Sequence, residues 1–393
     1  MSEMSYLEKL LDGAEVEWKP LREVCDFKNG FAFKSNLFKE TGLPIVRITN
    51  IDGFNVNLDE VKYFSPNDYK EDISSFEVSM GDIVIAMSGA TTGKVGFYKN
   101  ETRCYLNQRV GKFVPKRNLL NNKYLYHFLL LNTEAIYILA GGGAQPNLSS
   151  NALMSKLLIP IPSSSNPEKS LAIQSEIVRI LDKFTALTAE LTAELTMRKK
   201  QYNYYRDKLL SFEEGGVEWR TLGEITRKIA SGRNKTRQAE GDFPVYGSTG
   251  LLGFTNEPAY SGDLLLVARV GAYAGLVNAV SGHFDVSDNT LIIHPSDSWN
   301  SRFAFHQLTH MNLNQYAVGA GQPLITGGML KNLKVPVPSL NEQTRIAKIL
   351  DKFETITVSI TEGLPREIEL RQKQYEYYRD LLFSFPKPEI ASY

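Results

Sequence analysis

The stretch RKKQYNYYRDKLLSF, beginning at Arg198, recurs as RQKQYEYYRDLLFSF, beginning at Arg371, and this repetition decides the organisation of the chain. The two segments differ only at Lys199/Gln372, Asn203/Glu376, Lys208/Leu381 and Leu210/Phe383. Chance does not produce such similarity, so the chain contains an internal duplication.

Other paired segments extend the duplication beyond these two copies. They are IVRILDKF at Ile177 with IAKILDKF at Ile346, GAEVEWKPL at Gly13 with GGVEWRTL at Gly215, AQPNL at Ala144 with GQPLI at Gly321, IPIPS at Ile159 with VPVPS at Val335, and GDIVIAMSGA at Gly81 with GDLLLVARVGA at Gly262. Each half is therefore predicted to be one globular unit followed by one long helix. YLEKLL at Tyr6 also resembles the end of both copies, which predicts a cyclic arrangement with neighbouring chain termini.

The helical segments repeat their apolar positions at alternating steps of three and four, the pattern of a coiled coil. About 40 helical residues span about 60 Å, so an antiparallel pair of such helices would hold the globular units at a fixed separation. A solvated amphipathic hairpin is the alternative for either helix alone. Four tyrosines could face the seam or a partner, with the seam favoured for the first and third: Tyr202, Tyr205, Tyr375 and Tyr378. The predicted seam residues are Ile177, Phe184, Leu191, Leu195, Tyr202, Leu209, Ile346, Phe353, Ile360, Tyr375 and Leu382.

Two local features distinguish the helices. The tandem TAELTAEL at Thr188 reads as a four-residue insertion, which locally unwinds a coiled coil. The second helix contains TEGLPRE at Thr361, whose Gly363 and Pro365 predict a kink or break near 363–365. Pro365 is expected in the first turn of the restarted helix.

Short apolar strands separated by Gly, Asn and Pro turns dominate each globular unit, as in PIVRITNI at Pro44 and DLLLVARVG at Asp263. Few helices accompany them, so the predicted fold class is α+β, with a curved mixed sheet in each of two globular domains. The predicted divisions are a helical segment 1–12, a first domain 13–162, a central long helix 166–213, a second domain 214–338, a C-terminal long helix 339–386 and a tail 387–393.

Length and charge bound the class of protein. The 393 residues exceed one ordinary core, which agrees with two domains. The 44 basic and 44 acidic residues balance, so any binding of nucleic acid must be local. The sequence has no apolar run of about 18 residues and no signal-like N-terminus, so the expected location is the cytoplasm. Cys25 and Cys104 lack partners at ligand spacing and are expected to be buried thiols.

Motifs that could carry catalysis are incomplete. SGATTGKV at Ser88 lacks the first glycine of a phosphate-binding loop and the Ser or Thr after Lys94. HQLTH at His306 has the histidine spacing of a zinc protease but Gln307 in place of the glutamate base. NEPAY at Asn256 is not the signature of amino-methyltransferases. We therefore predict no catalytic residue, no metal site and no bound cofactor, and the chain is not expected to be an enzyme.

Polar, basic and aromatic side chains on loops beside the strands remain, and this pattern is typical of DNA recognition. RKIASGRNKTR at Arg227 contains five cations and no acid, and can neutralise phosphates. Each residue alone is more often a surface or turn residue, so the prediction depends on finding them at corresponding places in both units. The predicted DNA contacts are Lys28, Lys34, Arg47, Asn50, Ser88, Thr91, Lys94, Asn107, Gln108, Arg109, Arg227, Lys228, Arg233, Lys235, Arg237, Arg269, Tyr273, Asp288 and Asn289.

The chain resembles the specificity subunit of type I restriction-modification enzymes, especially the IC class. The resemblance covers nearly the whole chain and is most specific in MSEMSYLEKLLDG at Met1, NPEKSLAIQSEIVRILDKFTALTAELTAEL at Asn166, the two tyrosine-rich segments and ITEGLPREIELRQKQYEYYRDLLFSFPKPE at Ile360. Four further segments are similar to recurrent recognition-domain sequences: GFAFKSNLF at Gly30, LNQRVG at Leu106, VYGSTGLLGFT at Val245 and VSDNTLIIHP at Val286.

The resemblance implies two target-recognition domains that each read one half of a split double-stranded DNA site. It also implies helices that dock two methyltransferase subunits, which carry S-adenosylmethionine and methylate adenine at N6. Two translocating nuclease subunits would add ATP- and magnesium-dependent restriction. The resemblance also implies that the number of TAEL tetrapeptides adjusts the spacing between the two half-sites.

Two other functions stay open at this point. A rigid two-domain adaptor would grip a protein partner and would not depend on a split DNA sequence. A stand-alone DNA methyltransferase or nuclease would need the cofactor loop and catalytic signatures that the sequence lacks.

Overall fold

The computed structural model describes residues 6–142, 146–213 and 215–386, which divide into two compact units. Unit 1 consists of the described residues up to Ala189 together with those from Leu370 onward, and unit 2 is Glu190–Glu369. The predicted tail 387–393, the start of the predicted helical segment 1–12, and Ala144 and Gln145 of the AQPNL motif lie outside the described residues.

The first half of the chain contains the elements up to and including the central long helix. The elements are α1 (Tyr6–Leu11), β1 (Val16–Pro20), α2 (Leu21–Val24), β2 (Cys25–Asn29), β3 (Leu43–Val46), β4 (Lys62–Phe64), β5 (Glu77–Val78), β6 (Ile83–Ala86), β7 (Val95–Phe97), β8 (Cys104–Leu106), β9 (Val110–Pro115), α3 (Asn122–Leu131), α4 (Thr133–Leu139), α5 (Ser150–Lys156), β10 (Leu158–Pro162) and α6 (Pro167–Leu210). Short 3-10 helices lie at Ser35–Leu37, Ile48–Asn50, Pro66–Asp68 and Ser74–Phe76.

The second half repeats this order and ends in two helices. The elements are β11 (Glu218–Thr221), α7 (Leu222–Ile225), β12 (Thr226–Ser231), β13 (Phe243–Gly247), β14 (Gly250–Thr255), β15 (Tyr260–Ser261), β16 (Leu264–Ala268), β17 (Val277–Val280), β18 (His283–Val286), β19 (Thr290–Pro295), α8 (Ser301–His310), α9 (Gly327–Lys331), β20 (Lys334–Val337), α10 (Leu340–Val358) and α11 (Leu364–Leu382). One 3-10 helix lies at Leu313–Tyr316.

Both units contain the same sheets. Unit 1 has the strand orders β2-β9-β6-β7, β4-β3-β8-β5 and β1-β10, and unit 2 has β12-β19-β16-β17, β14-β13-β18-β15 and β11-β20. β3 pairs parallel with β8, and β13 pairs parallel with β18, within otherwise antiparallel four-stranded sheets. The predicted α+β class, with mixed sheets repeated in two domains, is confirmed.

Strands β6 and β16 are apolar without interruption because both of their faces are buried. In β6, Ile83 and Ile85 face the core that contains α3, whereas Val84 and Ala86 pack in the core of the second sheet. In β16, Leu265 and Val267 pack with α8, whereas the alternate side chains face the second sheet. Each unit is therefore layered as helices, a first sheet and a second sheet.

Segments of long helix complete both units. In unit 1 the beginning of α6 meets α11, where the rings of Phe184 and Tyr378 stack with centroids 5.1 Å apart. In unit 2 the end of α6 meets α10, where Tyr205 stacks on Phe353 at 5.6 Å. Across the described ranges, no helix combines the length and the apolar character that spanning a membrane requires.

The four helix tyrosines all contact residues of their own unit. Tyr202 also meets the Phe353 ring, with centroids 6.1 Å apart. Tyr375 is only 2% exposed, and its hydroxyl lies 2.9 Å from Nδ1 of His127. The contact of Tyr202 with α10 agrees with the seam favoured for it. The contact of Tyr375 is with α3 rather than with a long helix, whereas Tyr205 and Tyr378 stack on rings of a facing long helix.

The seam assignment of Ile360 is wrong. α10 ends at Val358 and α11 begins at Leu364, so the break predicted from TEGLPRE separates two helices, and Ile360 in the connection is 80% exposed. Gly363 has φ +82, and a Cβ atom there would lie 2.3 Å from the carbonyl oxygen of Thr355. The chain therefore turns tightly against the end of α10 and cannot continue the helical period.

A set of buried and partly exposed polar contacts ties the long helices to each globular core, and we call it the polar clamp. In unit 1, Gln174 on α6 accepts the backbone N–H of Asn121 at 2.8 Å and donates to the Leu119 carbonyl at 3.0 Å. Asn121 caps α3 by accepting from the N–H of Lys123. One carboxylate, Asp182, then contacts Lys123 at 2.6 Å and His127 at 3.1 Å.

Unit 2 repeats the polar clamp at corresponding positions, with Arg302 in the place of Lys123. Gln343 on α10 accepts the backbone N–H of Asn300 at 2.8 Å and donates to two carbonyl groups. Asp351 contacts Arg302 at 2.7 Å and His306 at 2.7 Å. The same geometry therefore positions α3 on α6 and α8 on α10.

The first and last described segments of the chain meet within unit 1, in agreement with the predicted cyclic arrangement. Nε1 of Trp18 donates to the carbonyl of Pro386 at 2.7 Å. The hydroxyl of Tyr6 donates to Glu176 of α6 at 3.2 Å, and Leu7 is buried in the core of unit 1.

We predict that Gln343→Leu lowers the free energy of unfolding by about 1–3 kcal/mol, because it leaves buried backbone groups of Asn300, Ser298 and Pro338 without their partner. Thermal unfolding of the complete chain measures the loss. Gln374→Leu on the exposed face of α11 is the matched control and should change stability by less than about 0.5 kcal/mol. Equal effects of the two substitutions would contradict a structural role for the polar clamp.

We also predict that His127 makes unit 1 less stable in acid. Burial lowers the pKa of His127, although Asp182 opposes this shift and Lys123 and Arg379 add to it. The unfolded chain then binds the extra proton below pH about 6.5, so stability is present above that pH and is lost as pH falls towards the folded pKa. One proton corresponds to at most about 1.4 kcal/mol per pH unit.

Denaturant unfolding between pH 7.5 and 5.5 measures this loss. His127→Gln should show a smaller loss over that range than the unchanged chain. The exposed His283→Gln is the control and should retain the full loss. An unchanged pH dependence in His127→Gln would exclude His127 as its source.

Candidate nucleic-acid interface

Four loops of unit 1 meet where strands β2, β3, β6 and β8 end. We call residues 30–34, 47–50, 87–94 and 107–109 loop cluster 1. Backbone hydrogen bonds join the loops, from the N–H of Phe31 to the Leu106 carbonyl at 2.9 Å and from the N–H of Asn107 to the Val46 carbonyl at 3.0 Å. The N–H of Met87 donates to the Arg109 carbonyl at 2.8 Å.

Unit 2 assembles the corresponding loops by equivalent bonds. We call residues 232–237, 248–249, 269–273 and 287–289 loop cluster 2. The N–H of Arg233 donates to the Val286 carbonyl at 3.0 Å, and the N–H of Ser287 donates to the Tyr246 carbonyl at 2.9 Å. The N–H of Arg269 donates to the Asn289 carbonyl at 3.0 Å. The two units therefore share one backbone framework but present different side chains.

One glycine in each cluster is required by a close backbone approach. A Cβ atom on Gly30 would lie 2.0 Å from the carbonyl oxygen of Asn107, and one on Gly232 would lie 2.2 Å from that of Ser287. No larger residue fits at either place without moving backbone. The first loop of each cluster is thus held directly against the loop that follows β8 or β18.

Exposed cations in both clusters remain available to an anionic ligand. Within the described ranges, none of the exposed basic side chains predicted here forms an ion pair with a carboxylate, apart from Arg227. Those in or beside the clusters are Lys34, Lys94 and Arg109 in loop cluster 1, Arg233, Lys235 and Arg237 in loop cluster 2, and Lys28 on the adjoining strand β2. Charges of this kind neutralise phosphates and release counterions on binding DNA.

The cations of the basic run at Arg227 do not form one patch in the folded chain. Strand β12 separates its ends, since Thr226 pairs with Pro295 and Ser231 pairs with Leu291. Arg227 and Lys228 therefore lie near the end of β12 remote from loop cluster 2, and Arg227 is bound to Asp297. An extended strand separates residues that a sequence window treats as neighbours.

Asn50 is a structural residue, so its assignment as a DNA contact is wrong. It is 5% exposed, and its Oδ1 accepts the backbone N–H of Arg47 at 3.0 Å. Thr91 also bonds within the fold, donating to the Ile48 carbonyl at 3.3 Å. Ser88 and Asn107 are partly buried at the loop junctions, whereas Gln108, Tyr273, Asp288 and Asn289 are exposed in the clusters.

One further loop in each unit, which contains Pro146 or Pro323, adjoins these clusters. No residue of this loop is among the predicted DNA contacts. The N–H of Gly89 donates to the Pro146 carbonyl at 3.2 Å, and the N–H of Gly271 donates to the Pro323 carbonyl at 2.9 Å. Both prolines belong to the paired motifs AQPNL and GQPLI. The similarity of these two motifs is the sequence signal for this loop. The motifs contain no charged residue, so they did not indicate a DNA contact.

One group of potential metal ligands lies in the polar clamp. Ligand atoms of His306, Asp351 and Glu354 lie within 4.8 Å of one another. Arg302 donates to both carboxylates, and burial lowers the pKa of His306. The arginine therefore already compensates the carboxylates, and we assign these residues to the polar clamp.

Both halves of the chain match one protein family. The family pattern described as "Type I restriction modification DNA specificity domain" matches residues 14–197 and again residues 214–370. The two matched ranges cover most of the chain, and each contains one copy of the duplicated sheets.

Individual relatives agree with this match over full length. The specificity subunit of the type I restriction enzyme EcoR124I/EcoR124II from Escherichia coli is 40% identical over 422 aligned positions, covering 100% of both chains. That of EcoprrI from Escherichia coli is 41% identical and covers 92% of this chain and 93% of its own. The crystal structure of a type I S subunit from M. genitalium has the same fold, with a TM-score of 0.63 over 98% of this chain and 100% of that chain at 20% identity.

Proposed function

Because this chain belongs to the family of type I restriction-modification DNA specificity subunits, we propose that it directs a DNA-modifying complex to a divided double-stranded site. Loop cluster 1 reads one half of the site and loop cluster 2 reads the other. The observation that carries the proposal is the equivalent backbone framework of the two clusters, which present different side chains.

The difference between the clusters makes the proposed target asymmetric. Loop cluster 1 presents Lys94, Gln108 and Arg109, whereas loop cluster 2 presents Tyr273, Asp288 and Asn289 near the exposed cations of its first loop. Lysine and arginine suit phosphates or guanine, while amides suit adenine. Two dissimilar sets of donors and acceptors on one framework favour two different half-sites.

The proposed chemistry belongs to partner subunits. Two methyltransferase subunits would bring S-adenosylmethionine and transfer its methyl group to N6 of adenine, after the base leaves the stack. Two restriction subunits would bring the ATP- and magnesium-dependent translocation and cleavage. This chain would supply the address, bind none of these cofactors and work in the cytoplasm.

Repeated exposed tyrosines support two copies of one partner. Tyr204 on α6 and Tyr377 on α11 occupy the same position of the two copies and are 59% and 64% exposed. Each packs edge-on against the next tyrosine, Tyr205 or Tyr378. Aromatic side chains of this kind often anchor protein interfaces, and their duplication fits two methyltransferase subunits.

We predict that the chain, expressed in a host with its cognate methyltransferase subunit, produces N6-methyladenine at an asymmetric motif with two specified halves and an unread spacer. Single-molecule sequencing of the host genome detects the motif. A host that expresses the methyltransferase alone is the control and should lack it. A contiguous motif would contradict two separate readers, and no methylation from a verified complex would favour the adaptor function instead.

We predict that deleting Thr192–Leu195 shortens the unread spacer and leaves both half-sites unchanged. Four residues contribute about 6 Å to an α-helix, which is comparable to one or two base-pair steps of about 3.4 Å. Methylation sequencing of the deletion variant measures spacer and half-sites separately. Thr192→Ala preserves helix length and should preserve the spacer, and an unchanged spacer in the deletion variant would refute the assignment.

A further inference from the structure

Arg269 lies in loop cluster 2 in a rigid backbone setting. It follows β16 directly, its N–H donates to the Asn289 carbonyl at 3.0 Å, and its own carbonyl accepts the N–H of Ile325 at 2.8 Å. The side chain is partly buried, and Nε is enclosed without a hydrogen-bond partner. In the described ranges Arg269 forms no ion pair, so its charge is not compensated by a carboxylate.

Arg47 has a similar environment in loop cluster 1. Its backbone N–H donates to Oδ1 of the buried Asn50 at 3.0 Å, and its carbonyl accepts the N–H of Asn50 at 2.9 Å. Its Nε is likewise enclosed without a partner, and one Nη lies 3.5 Å from the Glu60 carbonyl. The two arginines occupy different loops of the shared framework, yet each is the partly buried cation of its cluster.

Other arginines in the same units have carboxylate partners. Arg103 contacts Glu77 at 3.5 Å, and Arg220 contacts Glu218 at 2.7 Å. Arg302 contacts two carboxylates of the polar clamp. Arg47 and Arg269 differ from these three arginines in having no carboxylate partner among the described residues.

A partly enclosed guanidinium without an acid loses hydration and gains no ion pair, which costs free energy in the unbound protein. A ligand with acceptors that match the planar donor fork would offset this cost. O6 and N7 of guanine form such an acceptor pair in the major groove. We propose that Arg47 reads a guanine in one half-site and Arg269 reads a guanine in the other, an inference that rests on the proposed function.

Phosphate is the competing ligand for any arginine, and the surroundings favour a base. Exposed lysines and arginines of the same clusters, such as Lys94 and Arg233, are suited to flexible phosphate contacts. Arg47 and Arg269 are instead restricted by burial and by a fixed backbone. Restricting the motion of these side chains contributes little to a phosphate contact, but it lowers the entropic cost of an oriented base contact.

The test compares Arg269→Gln and Arg47→Gln in the complex with the methyltransferase subunit. Each substitution should relax one G·C pair in one half-site only, with discrimination at that pair falling roughly 5- to 150-fold. Genome-wide methylation sequencing identifies the relaxed position, and binding to duplexes that differ at that pair gives the fold-change. Arg103→Lys and Arg220→Lys, at paired arginines, should leave the motif unchanged.

Arg269→Lys and Arg47→Lys keep the charge and lose the planar fork, so they test the proposal even if the glutamine variants fold poorly. Discrimination should fall at the same pair, by a smaller factor. A uniform loss of methylation with an unchanged motif would assign phosphate contacts and overturn the inference. A half-site without any G·C pair in the unchanged protein would also overturn it, whereas the absence of any divided motif would instead overturn the proposed function.

Discussion

The polar clamp is the constraint on which the rest of each unit depends. A glutamine on a long helix accepts the backbone N–H of the asparagine that caps α3 or α8. An aspartate about two turns later on the long helix binds a cation and a buried histidine of α3 or α8. Buried polar groups are costly unless all are paired, so they permit only one register between the two helices. Apolar packing alone would tolerate sliding, because it is not directional.

The sheets transfer this register to the two loop clusters. β6 packs Ile83 and Ile85 towards the helices and Val84 and Ala86 towards the second sheet, and β16 does the same in unit 2. A strand buried on both faces cannot shift by one residue without exposing its apolar side chains. The loops after these strands therefore start from defined positions, and their backbone bonds do not depend on which polar side chains they carry.

The separation of a fixed backbone framework from variable loop side chains explains how the two units share one fold but present different surfaces. Gly30 and Gly232 are fixed by close backbone contact, whereas neighbouring Lys34 and Lys235 are exposed and free of carboxylates within the described ranges. Exposed loop residues change at small cost in stability, so such clusters could acquire new targets while the clamp and the sheets stay constant. Arg47 and Arg269 differ from these exposed cations because each encloses its Nε without a hydrogen-bond partner.

The sequence by itself determined the duplication, the α+β class, the family and the break between α10 and α11, because these follow from local identity, periodicity and the backbone limits of Gly363 and Pro365. Only the tertiary structure decided which polar residues meet. Asn50 follows an apolar strand, as a DNA contact would, yet its amide oxygen accepts a hydrogen bond from the backbone N–H of Arg47. Arg227 and Arg233 are close in sequence, but β12 carries them to different ends of the sheet. Residue type and spacing specify local conformation, whereas burial and partner choice depend on segments far apart in the chain, so the loop clusters became visible only in the folded protein.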